Sequence, residues 1–295
     1  MRAKSQYHLV SSGRWRIACM ADVWTRAIED QILALVKTQP PSKHPQTMEV
    51  CLTADNREWQ CYLKVYHPVA GSAVKDSFRH SKALRAWRQG IALAEAGFAA
   101  PLTIAAGEER HWRLLERAFL LSQKLPGKPA PHFLRDMLDR NEQQAVLRAK
   151  RTALKRIASV IRRFHQQGFV HGDLVATNIL VSDGAPDGPD FYFMDNDRTR
   201  RFPSWLPQAL WKRNLIQLNR MPLPGITLQD RMRFLRAYLN RQTLTRADRR
   251  FARWLERKTR QRRRECDGVD ASGDFRKLMR WSPDVWRQAD AGRLR

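Results

Sequence analysis

The sequence has few cysteines, few acidic residues and no long apolar run. Its four cysteines, at positions 19, 51, 61 and 266, form no CxxC pair, and the histidines show no zinc-binding spacing. We therefore expect free thiols in a reducing compartment. No apolar stretch reaches the roughly 18 residues that span a bilayer, and residues 1–20 lack the apolar segment of a secretory signal. These absences indicate a cytoplasmic protein, at most peripheral to a membrane.

The shortage of acidic residues leaves the chain strongly basic. Of 295 residues, 54 are Lys or Arg and 29 are Asp or Glu, which gives a net charge of +25. A charge of this size indicates the kind of partner and not the fold. Nucleic acid, an anionic membrane surface and an anionic substrate all fit. The densest basic run, RKTRQRRR at residues 257–264, lies near four aromatic residues, Trp254, Phe275, Trp281 and Trp286.

The order of patterns predicts an α+β protein with two lobes. Residues 1–20 read as a basic N-terminal arm, residues 21–125 as an N-lobe of sheet plus one helix, and residues 126–295 as a mainly helical C-lobe. The turn formers at residues 125–129 mark the boundary between the lobes.

Periodicity predicts the individual elements. In the N-lobe we expect two helices, over residues 23–37 and 72–98. The expected N-lobe strands cover residues 48–53, 59–66, 102–105 and 112–122, with a turn at 107–110. In the C-lobe we expect helices over residues 146–167, 207–219, 228–240 and 247–264.

Two apolar runs within residues 169–201 face each other across a loop of turn formers and read as a short hairpin. The hairpin would bring Asp173, Asn178 and Asp195 close together. Isolated Asp and Asn residues beside strands are ordinarily caps and turns. Here their order matches the working set of a phosphoryl-transfer enzyme, in which oxygen ligands hold Mg²⁺ and one carboxylate accepts a hydroxyl proton.

Lys64 lies on the second predicted strand, on the face opposite Leu63 and Val65. By itself it reads as an ordinary solvent-facing lysine. Ahead of the segment that carries Asp173 and Asp195, it reads as a lysine that reaches the α- and β-phosphates of a nucleotide.

The chain resembles the lipopolysaccharide core kinases of the Kdo/WaaP family, within the protein-kinase-like superfamily. Six segments carry the resemblance: YLKVY at 62–66, AGFAAP at 96–101, HGDLVATNILV at 171–181, FMDNDRTRR at 193–201, RNLIQLNR at 213–220 and RMRFLRAYL at 231–239. The resemblance implies a bilobal kinase fold. It also implies an ATP- and Mg²⁺-dependent kinase that phosphorylates a hydroxyl of Kdo or heptose in the lipopolysaccharide inner core.

The resemblance assigns roles by position. Lys64 would hold the α- and β-phosphates, and Asp173 would accept the proton of the acceptor hydroxyl. Asn178 and Asp195 would hold the metal ions, and His171 would brace the loop. The implied partners are an anionic glycolipid and, through the basic surface, the cytoplasmic face of the inner membrane.

The chain departs from the kinase pattern around the phosphates. No GxGxxG precedes the first hairpin strand, so Lys43 and His44 are candidates to cover them. Gly172 replaces the arginine of an HRD motif, which favours constitutive activity over control by phosphorylation. Asp197 is either a further metal ligand or a salt-bridge partner of a nearby arginine.

The acid that should pair with Lys64 is the main departure. Ala86 occupies the position where family members often carry Glu, and Glu95 lies nine residues further along the same predicted helix. At roughly 100° per residue these positions face opposite ways. Either Glu95 substitutes in a shifted helix, or Lys64 has another partner.

Two further interpretations of the whole chain stay open. One is a kinase of protein side chains or of another small molecule. The other is a catalytically dead, basic module that binds nucleic acid or membrane.

Overall fold

The computed structural model describes residues 7–54, 57–68, 79–138, 143–182, 188–203, 209–220, 223 and 226–267. It divides into two compact units. Unit 1 comprises residues 1–126 together with 194–199, and unit 2 comprises residues 127–193 together with 200–295.

Unit 1 is built on a six-stranded antiparallel sheet. Its strands are β1 (Tyr7–Ser12), β2 (Trp15–Met20), β3 (Gln46–Ala54), β4 (Arg57–Tyr66), β5 (Thr103–His111) and β6 (Leu114–Gln123). Their order in the sheet is β1-β2-β5-β6-β4-β3. Alternation along β4 buries Cys61, Leu63 and Val65 in the core. Lys64 therefore lies on the opposite face of the same strand.

In the part of unit 1 that the structure describes, two helices accompany this sheet, α1 (Arg26–Thr38) and α2 (Lys82–Glu95). Each begins at a hydroxyl cap, since Thr25 accepts from the Ile28 amide and Ser81 from the Leu84 amide. The core of unit 1 forms where α1 covers the sheet. Its fully buried members include Ile17, Ile32, Leu52, Leu63, Phe119 and Leu121.

Two expectations for unit 1 are corrected. Residues 7–20, assigned to a basic arm, form the hairpin of β1 and β2, with Trp15, Ile17 and Cys19 buried in the core. The turn expected at residues 107–110 is instead strand. The chain reverses at Trp112 and Arg113, which both have positive φ.

The packing of Gly107 and Glu108 explains why residues 107–110 form strand and not a turn. Gly107 pairs with Phe119, whose ring occupies the space that a side chain would need. Glu108 is buried, and it accepts hydrogen bonds from the Ser81 amide and from Arg110. Glycine and charge are typical of turns, but these long-range partners keep both residues inside β5.

Unit 2 is mainly helical. Its helices are α3 (Ala130–Leu138), α4 (Gln143–Gln166), α5 (Ala209–Arg220), α6 (Leu228–Leu239) and α7 (Arg246–Asp267). Two small sheets accompany them. One joins β7 (Lys128–Pro129), β9 (Ile179–Ser182) and β10 (Asp190–Phe193), and the other pairs β8 (Phe169–Val170) with β11 (Arg200–Arg201). The predicted hairpin of the C-lobe is present, because β9 and β10 pair antiparallel.

A cluster of aromatic rings supports the segment between β8 and β9. Phe164 at the end of α4 lies 4.5 Å from Phe193 and 5.4 Å from Phe169, measured between ring centroids. All three are fully buried. Gly168 ends α4 with a φ of 84°, and a side chain there would collide with the Phe202 carbonyl. The loop after β8 therefore starts from a rigid base.

No helix in the described part of the chain is long and apolar enough to cross a lipid bilayer. Three of the four aromatic residues near the basic run, Phe275, Trp281 and Trp286, lie outside the described residues.

Candidate active site

In unit 1, Lys64 and Asp195 form an ion pair. Lys64 Nζ lies 2.6 Å from Asp195 Oδ1, and both side chains are partly exposed. The pair joins strand β4 to the segment that follows β10, 131 residues later in the chain. Two residues that the sequence predicted to act on a nucleotide are thus in direct contact.

Asp195 has a left-handed backbone, with φ 54° and ψ 55°. Few residues other than glycine adopt this conformation, and where it occurs it often marks a functional position. Asp195 precedes a short 3₁₀ turn, Asn196–Arg198, which packs against α2. The turn is fixed internally because Thr199 Oγ1 donates to Asn196 Oδ1 at 3.1 Å.

Two further acidic groups lie near the Lys64–Asp195 pair, and both have raised pKa values. Burial, and then the neighbouring carboxylate of Asp195, raise the pKa of Asp197. Burial, followed by the charges of Asp197 and Asp195, raises the pKa of Tyr66 well above its usual value. Lys64 Nζ lies 5.5 Å from the centroid of the Tyr66 ring. Burial thus acts mainly on Asp197 and Tyr66, whereas Lys64 and Asp195 stay in contact with solvent.

The uncertainty over the acid partner of Lys64 is resolved within unit 1. Glu95 is the last residue of α2 and is exposed, while Ala86 is buried in that helix. Among the described residues, the carboxylate that pairs with Lys64 is that of Asp195. The second of the two alternatives given above is therefore the observed one.

In unit 2, the loop 171–178 carries Asp173 and Asn178. His171 is buried, and its Nδ1 accepts a hydrogen bond of 3.1 Å from the Asp173 amide. Asn178 Nδ2 donates to the Asp173 carbonyl at 2.9 Å. Because the amide nitrogen of Asn178 is engaged in the loop, its oxygen is the atom left to face a cation.

Helix α5 supplies a second set of contacts to this loop. Asn214 Oδ1 accepts from the His171 amide at 2.9 Å, and its Nδ2 donates to the His171 carbonyl. Gln217 Nε2 donates to the Gly172 carbonyl at 3.1 Å and to Asp173 Oδ1 at 3.4 Å. In the sequence, the segment RNLIQLNR carries only a family resemblance, and nothing in it predicts a role for Asn214 or Gln217. Their i, i+3 spacing was visible, but their partners lie more than 40 residues away.

The predicted site residues are divided between the units. Lys64 and Asp195 belong to unit 1, whereas Asp173 and Asn178 belong to unit 2. Among the described residues, no cluster of three His, Cys, Asp or Glu side chains forms a ready metal site. The proposed metal ligands, a carboxylate and an amide oxygen, are nevertheless the hard donors that Mg²⁺ takes, with water and phosphate filling the other positions.

Unit 2 also contains a partly open, apolar cavity of about 190 Å³. Its walls come from α3, α4, α5, α6 and α7, and they include Phe133, Leu134, Met137, Leu154, Ile157 and Leu235. At one wall, Lys150 and Asp230 form a buried ion pair of 2.8 Å. The cavity therefore has an apolar interior and a buried ion pair in one wall.

Comparison with solved structures shows the fold. "WaaP in complex with acyl carrier protein" is 22% identical to this chain, covers 79% of it and 92% of its own length, and has a TM-score of 0.53. A rhoptry antigen kinase domain of Toxoplasma gondii is 15% identical over 61% of each chain, with a TM-score of 0.35. The bifunctional kinase-methyltransferase WbdD is 17% identical over 75% of this chain and 52% of its own, with a TM-score of 0.42.

No curated protein matches the chain. The model of the lipopolysaccharide kinase (Kdo/WaaP) family matches residues 44–238, which is more than half of the 295 residues. The expected α+β, protein-kinase-like fold is confirmed. The chain therefore belongs to the lipopolysaccharide kinase (Kdo/WaaP) family, and it is a phosphotransferase whose acceptor is a sugar hydroxyl of a glycolipid.

Proposed function

We propose that this protein transfers the γ-phosphoryl group of ATP, with Mg²⁺, to a hydroxyl of Kdo or heptose in the lipopolysaccharide inner core. The observation that carries this proposal is the ion pair between Lys64 and Asp195. A lysine that binds phosphate and a carboxylate that binds metal must lie close together, because both act on one triphosphate.

The roles proposed for the site residues follow from their chemistry. Lys64 binds the α- and β-phosphates, and Asn178 and Asp195 are the metal ligands. Asp173 accepts the proton of the acceptor hydroxyl at its carboxylate, while its loop is held by His171. When bound, ATP supplies the phosphoryl group and Mg²⁺ neutralises its charge. The chain itself supplies position and electrostatic stabilisation, which account for most of catalysis in phosphoryl transfer.

We place the protein on the cytoplasmic face of the inner membrane, as a peripheral protein. Helix α7 supports this placement. Seven arginines, which we name the arginine stripe, are all exposed along it: Arg246, Arg249, Arg250, Arg253, Arg257, Arg260 and Arg264. At roughly 100° per residue they fall within one arc of about 100°. Such a stripe attracts anionic headgroups and would bring the enzyme to its lipid-anchored substrate.

The face of α7 next to the arginine stripe is occupied by packing. Phe251 and Trp254 stack at 5.8 Å, and Lys212 of α5 lies 5.8 Å from the Trp254 ring. Trp254 therefore contributes to the contact between α5 and α7, and the charge of the arginine stripe is the feature of α7 that we propose for membrane binding. The same stripe would also attract nucleic acid, which remains the alternative partner.

The test is phosphate transfer by the purified protein from ATP to core oligosaccharides that end in Kdo or in heptose. We expect Asp173→Asn to lower kcat about 100- to 10,000-fold, because the general base is lost. Asp136→Asn, which removes an exposed carboxylate of α3, is the matched control and should leave kcat unchanged. Undiminished transfer by Asp173→Asn would contradict the role of Asp173. Label on protein and not on the glycolipid would favour a protein kinase instead.

The apolar cavity of unit 2 favours a second partner. We infer that it accepts an acyl chain, and the relative that was solved with acyl carrier protein suggests the molecule that would present one. Native mass spectrometry with acylated and unacylated carrier protein tests this. We expect binding only of the acylated form, and loss of binding in Leu154→Trp, which fills the cavity. Equal binding of both forms would exclude the acyl chain as the determinant.

A further inference from the structure

Four consecutive side-chain hydrogen bonds run through the interior of unit 2 and end on Asp173. They join Tyr238 of α6 to His165 of α4, then to Asn214 and Gln217 of α5. The distances are 2.9 Å from Tyr238 Oη to His165 Nδ1, 3.1 Å from His165 Nε2 to Asn214 Oδ1, 3.0 Å from Asn214 Nδ2 to Gln217 Oε1, and 3.4 Å from Gln217 Nε2 to Asp173 Oδ1.

Contacts with backbone atoms fix which group donates and which accepts in each of these four hydrogen bonds. Asn214 Oδ1 accepts from the His171 amide and Asn214 Nδ2 donates to the His171 carbonyl, so the amide cannot be flipped. Since Asn214 Oδ1 is an acceptor, His165 Nε2 must carry the hydrogen. His165 Nδ1 is then the acceptor for the Tyr238 hydroxyl.

The orientation of Gln217 is fixed in the same way. Its Nε2 donates to the Gly172 carbonyl at 3.1 Å, and its Oε1 accepts from Asn214 and from the Leu174 amide at 3.4 Å. Every bond therefore points from Tyr238 towards Asp173. Aligned hydrogen bonds polarise one another, so each donor in the series strengthens the next.

The side chains that lead to Asp173 are neutral; Tyr238, Asn214 and Gln217 are buried, and His165 is half-buried. Asn214 is fully buried and Gln217 nearly so. Burial lowers the pKa of His165 to about 4, against a hydrogen bond to Asn214 that raises it. At neutral pH the imidazole is therefore uncharged, as the donor and acceptor assignment requires. The series begins on a phenol and ends on a carboxylate oxygen.

We propose that Asn214 and Gln217 are positioning residues that fix the loop and the carboxylate of Asp173, and that His165 and Tyr238 fix Asn214 in turn. Asn214 holds the His171 backbone by both its N–H and its C=O. Gln217 binds the Gly172 carbonyl and the Leu174 amide, and it donates an N–H to Asp173 Oδ1. The carboxylate oxygen that does not face Gln217 is thereby directed to the acceptor hydroxyl. This inference rests on the proposed role of Asp173.

The first test is Gln217→Glu, which replaces one N–H₂ group by an oxygen and keeps the shape. The two donor contacts are then replaced by repulsion between acceptors. We expect kcat to fall about 10- to 100-fold, as for a misplaced reacting group, with the KM for ATP unchanged. Asn219→Asp is the control, since it makes the same change on α5 at a residue that contacts Thr259 and Arg231. Its kcat should stay within about twofold of wild type.

A second variant acts at the far end of the series and carries no new charge. Tyr238→Phe removes only the hydroxyl that donates to His165. We expect a kcat decrease of about three- to fivefold, the equivalent of one neutral hydrogen bond, again with the KM for ATP unchanged. Tyr192→Phe, on β10, is its control and should behave like wild type.

Hydrogen exchange gives a readout that does not need turnover. In Gln217→Glu we expect the amides of residues 171–174 to exchange at least about tenfold faster than in wild type, while the helix amides of α4 keep their rates. If the wild type transfers phosphate and both variants keep its kcat, the positioning role is wrong. If the wild type transfers none, the proposed function fails. In that case the exchange rates still test whether Gln217 fixes the loop. Faster exchange of residues 171–174 in Gln217→Glu supports this role, and unchanged exchange overturns it.

Discussion

Lys64 Nζ donates to Asp195 Oδ1 at 2.6 Å, and the two residues come from parts of unit 1 that lie 131 residues apart in the chain. The lysine is thus held by the carboxylate that we propose as a metal ligand, and not by an acid on α2. When metal and nucleotide bind, the proposed roles require this contact to be exchanged for contacts to phosphate and cation. The pair keeps both groups in place until then.

This relationship predicts that Asp195 contributes to ligand binding and little to stability. The ion pair is partly exposed, and pairs of that kind contribute roughly 0–1 kcal/mol. We expect Asp195→Asn to change the free energy of unfolding by less than about 1 kcal/mol and to abolish the Mg²⁺-dependent thermal shift with ATP. Thermal unfolding with and without MgATP measures both quantities. Asp30→Asn, at an exposed position of α1, should keep the shift. A normal shift in Asp195→Asn would remove the proposed metal ligand.

His165 makes stability depend on pH in a defined window. Burial holds the pKa of His165 near 4 in the folded protein, whereas the unfolded chain titrates near its ordinary value of about 6.5. Below pH 6.5 the unfolded state binds a proton that the folded state does not, so stability decreases as pH falls and levels off near pH 4. The full loss from this residue is roughly 3 kcal/mol.

Urea unfolding between pH 7.5 and pH 4 tests this. His165→Gln should flatten the dependence relative to wild type, while His111→Gln, at an exposed position, should not. The partly buried His67 and His80 also titrate at lowered pKa values, but they are present in every variant and cancel in the comparison. Equal slopes in wild type and His165→Gln would show that His165 is protonated in the folded state.

Gly107 and Gly90 predict opposite responses to the same substitution. In Gly107→Ala the new methyl would enter the ring of Phe119, and we expect a loss of about 1–3 kcal/mol from overpacking. In Gly90→Ala, within α2, the nearest atom is Thr103 Oγ1 at 3.4 Å, so we expect a gain of roughly 0.5–1 kcal/mol from helix propensity. Urea midpoints of the two variants measure this. A stabilised Gly107→Ala would mean that β5 and β6 repack freely.

The arginine stripe predicts salt-sensitive binding to anionic vesicles. Replacing Arg249, Arg253 and Arg257 by Gln should weaken partitioning roughly 100-fold, at about 1 kcal/mol for each charge near the surface. A control set with the same change of charge, Lys37, Arg57 and Arg113, is exposed on unit 1. Sedimentation with phosphatidylglycerol vesicles and with neutral vesicles measures the difference. If the two triple substitutions weaken vesicle binding equally, the binding depends on the net charge of the protein and not on α7.

The sequence by itself determined the elements that depend on local pattern. The alternation of apolar and polar residues predicted β3 and β4. It also predicted that Lys64 faces away from the core, since successive side chains of a strand point to opposite faces. The order of Asp173, Asn178 and Asp195 carried the family resemblance that the comparisons confirm. The roles of these site residues stay predictions.

The tertiary structure decided what depends on partners distant in the chain. It turned residues 7–20 from an expected arm into two strands, because their apolar side chains complete the core of unit 1. It kept Gly107 and Glu108 in a strand through Phe119 and Ser81, and it paired Lys64 with Asp195 instead of Glu95. It also aligned Tyr238, His165, Asn214 and Gln217 on Asp173. Periodicity reports which face of an element is buried, whereas the partner that satisfies a buried polar group is set by the fold.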